Sequence, residues 1–117
     1  MKRILSLLAI CAAACVTLFA VVPASARTTA TTVKVTAKEY KFVLSTKTAR
    51  HGTVIFKVTN KGKIKHDFKI AGKKTPMLRP GKTASLTVTL AKGKTYTYIC
   101  TVPGHAQLGM KGKFKAT

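Results

Sequence analysis

Three side chains with complementary metal chemistry lie in one short stretch, Tyr98-Ile-Cys-Thr-Val-Pro-Gly-His-Ala-Gln-Leu-Gly-Met110. Cys100, His105 and Met110 stand in a C-x4-H-x4-M spacing, so a thiolate, an imidazole and a thioether fall within eleven residues. A soft thiolate with two imidazoles and a long, weak axial methionine sulfur is the donor set of a blue-copper electron-transfer site. The stretch holds one histidine, so a second must come from elsewhere. His66, in Lys65-His-Asp-Phe-Lys-Ile70, is the natural candidate because it too sits in a strand-like run. Zinc also accepts Cys and His, but a thioether is a poor reason for zinc. Taken singly, each residue has an ordinary reading: Met110 as core, His105 as an exposed loop residue, His66 as a histidine at a strand start. Their coincidence favours copper. His51 lies in the Arg50-His-Gly52 turn with no partner motif and reads as surface, and Met77, in Thr75-Pro-Met-Leu78, reads as packing near the mouth of the site.

The elements that must position these donors begin after a targeting segment. Lys2 and Arg3 precede an almost unbroken apolar run from Ile4 to Val22, and Ala24-Ser-Ala26 has the small-x-small pattern of a signal-peptidase site. This predicts a signal peptide over residues 1–26 and an exported remainder, in a periplasm or outside the cell. The Thr-rich residues 27–32 read as a loose arm, and 33–117 as one small domain. That domain keeps a single cysteine, Cys100, so no internal disulfide can staple it, and metal ligation accounts for the thiol together with the residues that follow.

From Val33 onward the pattern is strands and turns. Val33, Val35 and Ala37 alternate with polar residues; so do Tyr40, Phe42 and Leu44, then Val54, Phe56 and Val58. His66, Phe68 and Ile70 share one face, as do Leu86, Val88 and Leu90, and Tyr96, Tyr98 and Cys100. No stretch has a 3.6-residue period. About seven short strands separated by turn signals predict an all-β, antiparallel β-sandwich. The parity places His66 and Cys100 at strand ends facing the interior, with the metal site at one end of the sandwich.

Charge is the other unusual feature. Two of the 22 Lys and Arg residues lie in the signal segment, which leaves 20 against Glu39 and Asp67, a net of +18. Dispersed lysines alternating with apolar residues are first of all solvated strand faces. A field this strong also favours an acidic partner or an anionic membrane surface, through steering more than specificity, and no specific nucleic acid is implied. With two acids in the domain there is no carboxylate pair and no Ser/His/Asp set, so enzyme action is not expected.

On these residues the chain resembles the cupredoxins, in particular the small plastocyanin/azurin type. The resemblance covers about Val33 to Thr117 and rests on Glu39-Tyr-Lys-Phe42, Asn60-x5-His66, Leu78-Arg-Pro-Gly-Lys-Thr83 and Tyr98-x-Cys100-x4-His105-x4-Met110. It implies a Greek-key β-sandwich, one type 1 copper held by His66, Cys100, His105 and axial Met110, and one-electron transfer by a monomer; the expectation of an acidic redox protein as partner comes from the charge. It also implies that a polar pair, here Asp67 and Thr101, ties the two ligand segments together, and that Ala106 and Leu108 form an apolar collar around His105, the electron portal. The chain departs from the family in carrying Asp67 where plastocyanin and azurin usually have Asn, Ile99 where plastocyanin has a tyrosine, and basic charge in place of an acidic patch. Copper carriage without redox turnover, and polyanion or membrane-surface binding on the same scaffold, are the alternative functions.

Overall fold

A computed structural model describes residues 29–117 and the isolated Thr17; the expected signal peptide and the first residues of the expected arm lie outside the described residues. Nine strands follow in order: β1 (Thr31–Lys38), β2 (Lys41–Leu44), β3 (Thr48–Ala49), β4 (Gly52–Asn60), β5 (Lys69–Ile70), β6 (Lys73–Lys74), β7 (Thr83–Leu90), β8 (Thr95–Ile99) and β9 (Lys111–Ala116). They form two sheets, β2-β1-β4-β7 and β3-β9-β8-β5-β6. The surplus over the expected strand number comes from the two-residue pieces β3 and β6, too short to show any alternation, while β5 is the expected strand of His66, Phe68 and Ile70 reduced to its end.

Period-two patterning sorts side chains to the inside as anticipated. Val33, Val35 and Ala37 of β1, Val54, Phe56 and Val58 of β4, and Val88 and Leu90 of β7 are buried from one sheet. Tyr98, Phe114 and Ala116 are buried from the other. Aromatic rings meet across the gap, Phe56 with Phe114 at 5.1 Å and Phe42 with Tyr98 at 5.9 Å, both edge-on. Burial of this apolar area is the main stabilising term of such a sandwich.

Strand direction departs from the all-antiparallel expectation. β1 runs parallel to β4, with Val33 opposite Phe56, and β3 runs parallel to β9; the other pairings are antiparallel. A parallel neighbour needs a crossover. Here the chain supplies it by leaving β2 for the second sheet at β3 and returning at β4. Alternation reports which face a side chain takes, not the direction of the neighbouring strand. β1 also begins at Thr31 rather than Val33, because Thr31 and Thr32 already pair with Val54 and Ile55.

One other local expectation changes. Tyr40 does not share β2 with Phe42 and Leu44; it lies in the turn between β1 and β2 and is exposed. Gly112 lies within β9, where a Cβ would overlap the Tyr98 hydroxyl, so the missing side chain makes room for the ring.

Candidate metal centre

The register of β8 and β9 closes the loop that carries three of the candidate donors. The pairing runs up to Ile99 opposite Lys111, and the Cys100 N–H donates to the Met110 carbonyl at 3.0 Å. Between these ends the chain is a succession of turns. His105 N–H donates to Val102 O and Met110 N–H to His105 O, each at 3.1 Å. Gly104 and Gly109 take the positive φ values, 85° and 121°, that these reversals need and that side chains disfavour. At Gly109 a Cβ would also stand 2.9 Å from the Tyr40 carbonyl oxygen. The loop therefore returns Met110 beside Cys100, where both pack with Ala37 in a small buried cluster.

His66 arrives from a different direction. It is not part of a strand; it forms an isolated bridge with Leu78, donating to the Leu78 carbonyl at 3.1 Å and accepting from its N–H at 2.8 Å. Asn60, at the end of β4, shapes the connection leading to it. Its amide donates to Ile64 O and Leu78 O, both at 2.8 Å, while its oxygen accepts from Gly62 N–H at 2.8 Å. Asn60 is fully buried, and this network is why a polar residue ends an otherwise apolar strand face.

The result is convergence. His66 Nδ1 and His105 Nδ1 are 3.1 Å apart, and the Cys100 sulfur lies 3.5 Å from His105 Nδ1 and 4.0 Å from His66 Nδ1. Donor atoms about 2.0–2.3 Å from one shared centre have separations of about this size. His66, Cys100 and Met110 have 1% exposure or less and His105 has 7%, so the site is closed except at the His105 edge. The chemistry of the set, two ring nitrogens, a thiol sulfur and a buried thioether beside them, fits one type 1 copper ion.

Protonation follows from surroundings. Burial pushes the Cys100 thiol above its ordinary range. Burial, then the neighbouring His66 ring, lowers His105 below its usual 6.5, which leaves the ring neutral at pH 7. Behind Cys100, the Thr101 N–H donates to Asp67 Oδ1 at 2.6 Å and the Thr101 hydroxyl donates to Asp67 Oδ2. Asp67 is buried, turned toward Thr101 rather than out beside Lys65 or Lys69.

Glu39 had no assigned role in the sequence beyond its place in a motif. Its Oε1 accepts from Lys63 N–H at 2.7 Å and Ile64 N–H at 2.9 Å, and lies 3.2 Å from His66 Nε2. The Ile64 N–H first, then its own and the Lys63 backbone N–H groups and His66, hold its carboxyl at about 2. Only the pairing of this acid with Gly62-Lys63-Ile64, about two dozen residues later, could have signalled this, and no local period carries it.

The remaining sequence candidates are placed as follows. The Tyr40 ring meets His105 edge-on at 5.2 Å. Leu108 is 61% exposed and Ala106 half-buried, while Met77 is exposed next to the bridging Leu78. His51 is exposed, and its Nδ1 lies 2.9 Å from the Thr117 carbonyl oxygen.

Comparison with known proteins gives consistent findings. The model of the copper binding proteins, plastocyanin/azurin family, matches residues 24–117. Auracyanin-B of Chloroflexus aurantiacus is 46% identical over 43 residues, which cover 37% of this chain and 18% of that protein. Sodium-dithionite-reduced auracyanin from Roseiflexus castenholzii superposes with a TM-score of 0.66 at 22% identity, over 74% of this chain and 97% of that one. A structure of auracyanin B gives 0.64 at 23% identity, over 78% of this chain and 91% of that one. Auracyanin A, a "blue" copper protein from Chloroflexus aurantiacus, gives 0.63 at 21% identity, over 76% and 100%. At these identities the structural likeness speaks for the fold.

Proposed function

Because the chain belongs to the plastocyanin/azurin family of copper binding proteins, we propose that it is an exported one-electron carrier in which His66 Nδ1, Cys100 Sγ and His105 Nδ1 hold copper and the Met110 sulfur is the weak axial donor. The observation that carries this reading is the mutual approach of three donors from two distant segments, all buried. Bound copper supplies a Cu(II)/Cu(I) couple. The protein's part is to keep the donors still: the Leu78 bridge holds His66, the β8–β9 register holds Cys100 and Met110, and the turn at Pro103-Gly104 holds His105. A frame set by backbone hydrogen bonds has little to rearrange when the charge of the site changes, which keeps the barrier to electron transfer low.

Electrons enter and leave at His105, the most exposed donor, flanked by Tyr40 and Leu108. The expected collar of Ala106 and Leu108 thus gains an aromatic member. Charge favours an acidic redox protein as partner. On the five-stranded sheet, Lys111, Ile99, Lys69 and Lys74 line up as cross-strand partners in one row, and Lys113 and Lys115 continue the exposed lysines along β9. The same face offers complementarity to an anionic membrane surface. Burial of the donors argues against a copper carrier that hands its ion on by ready exchange. Both carboxylates of the domain are engaged in local bonds, Glu39 to the 63–64 backbone and Asp67 to Thr101, which supports a carrier rather than an enzyme.

The test is addition of Cu(II) to the mature protein with visible and spin-resonance spectra. An intense blue band with a type 1 signal, lost in Cys100→Ser, is expected. A colourless, tetragonal copper signal in the wild type overturns the reading.

A further inference from the structure

Glu39 and Asp67 are the two acids of the whole 117-residue chain, against 22 basic residues. Chance would scatter them; instead each lies directly behind a candidate copper donor segment. Asp67 bonds Thr101, next to Cys100, and Glu39 reaches the far side of the His66 ring. Glu39 comes from the turn after β1, a different part of the chain from every donor.

Its seat is built. One oxygen, Oε1, receives the Lys63 and Ile64 N–H groups at 2.7 and 2.9 Å and faces His66 Nε2 at 3.2 Å. Gly62 lies against the carboxylate so closely that a Cβ there would overlap Oε1 and stand 2.9 Å from Oε2. A glycine without a positive φ is needed here for close approach. A carboxylate only accepts, so the neutral His66 ring must carry its proton on Nε2 and leave the lone pair on Nδ1, the atom that faces Cys100 and His105.

We propose that Glu39 is a positioning residue of the copper centre: it selects the Nε2–H tautomer of His66, sets the plane of the ring, and places a fixed negative charge behind it that favours the oxidised ion. The proposal rests on the reading of His66 Nδ1 as a copper donor. The electrostatic part follows from the stronger attraction of a negative charge for Cu(II) than for Cu(I). The orienting part follows from the rule that the bond at one ring nitrogen decides what the other can do.

Two variants separate the parts. Glu39→Gln keeps an amide oxygen for the same three N–H donors and removes the charge. Its ratio of Cu(I) to Cu(II) affinity should rise about tenfold, which is about +59 mV in voltammetry for a one-electron couple. Glu39→Ala removes the acceptor as well. Ring nitrogen-15 NMR of the metal-free protein under reducing conditions should show His66 as a single Nε2–H tautomer in the wild type and in Glu39→Gln, and as a tautomer mixture in Glu39→Ala. An unchanged potential in Glu39→Gln overturns the electrostatic role, and an unchanged tautomer in Glu39→Ala overturns the orienting role. The tautomer measurement needs no copper. A wild type that takes up no type 1 copper therefore refutes the functional reading, while the NMR result still decides the orienting role of Glu39.

Discussion

Replacing Asp67 by alanine removes the carboxylate that joins the segment of His66 to that of Cys100. Two bonds are lost at once, from the Thr101 N–H at 2.6 Å and from the Thr101 hydroxyl. Each buried donor left unmatched costs about 1–3 kcal/mol, but Thr101 is half-buried and water can reach part of it, so the loss is about 2–3 kcal/mol for the pair. Asp67→Asn keeps an oxygen for the N–H and can offer its amide to the hydroxyl oxygen. It exchanges charge-assisted bonds for neutral ones and should lose about 1 kcal/mol. Urea denaturation of the metal-free protein under reducing conditions measures both. Copper competition against a chelator should then show about a 10–100-fold weaker affinity in Asp67→Ala, with the blue spectrum broadened as the Cys100 segment loosens. In Asp67→Asn the site should persist with a raised potential, because one negative charge near it is gone. If Asp67→Ala matches the wild type in urea midpoint, affinity and spectrum, the tie is wrong. If Asp67→Asn loses as much as Asp67→Ala, charge rather than bonding is the operative term.

The remaining expectations concern the axial donor, the protons and the partner. Met110→Ala should shift the reduction potential while copper affinity falls by less than tenfold, checked by voltammetry and competition; a lost site would make Met110 a principal ligand. Because burial holds Cys100 as a thiol and His105 as a neutral ring at pH 7, Cu(II) uptake should release about one proton, read from calorimetry in buffers of different ionisation enthalpy. Release should stay near one proton through pH 7 and rise toward two only below 6.5, since the folded value of His105 is depressed, so uptake that displaces a second proton from His105 already at pH 7 would contradict that burial. Electron transfer to an acidic redox protein should slow as salt rises and slow further in a Lys111→Glu, Lys113→Glu variant; a rate indifferent to both would place docking on the apolar surface beside His105.

Local chemistry and period two were enough to read much of this protein from its residues. Cys100, His105 and Met110 are legible because loop ligands are close in sequence and each side chain advertises its own donor. The buried faces of β1, β4 and β7 are legible because alternation across a pleated strand is a property of the strand itself. Other features depend on which segments become neighbours, and no local period encodes that. The parallel β1–β4 pairing, the Leu78 bridge that carries His66 to a loop 39 residues away, and the room that Gly112 leaves for Tyr98 are of this kind. So is Glu39: in the sequence it is an isolated acid before a tyrosine, and only the packing of the β1–β2 turn against residues 62–66 brings its carboxylate to the back of the His66 ring. Donor identity is written in single residues, whereas donor orientation comes from hydrogen bonds between distant backbone segments, which exist only once the sheets have paired.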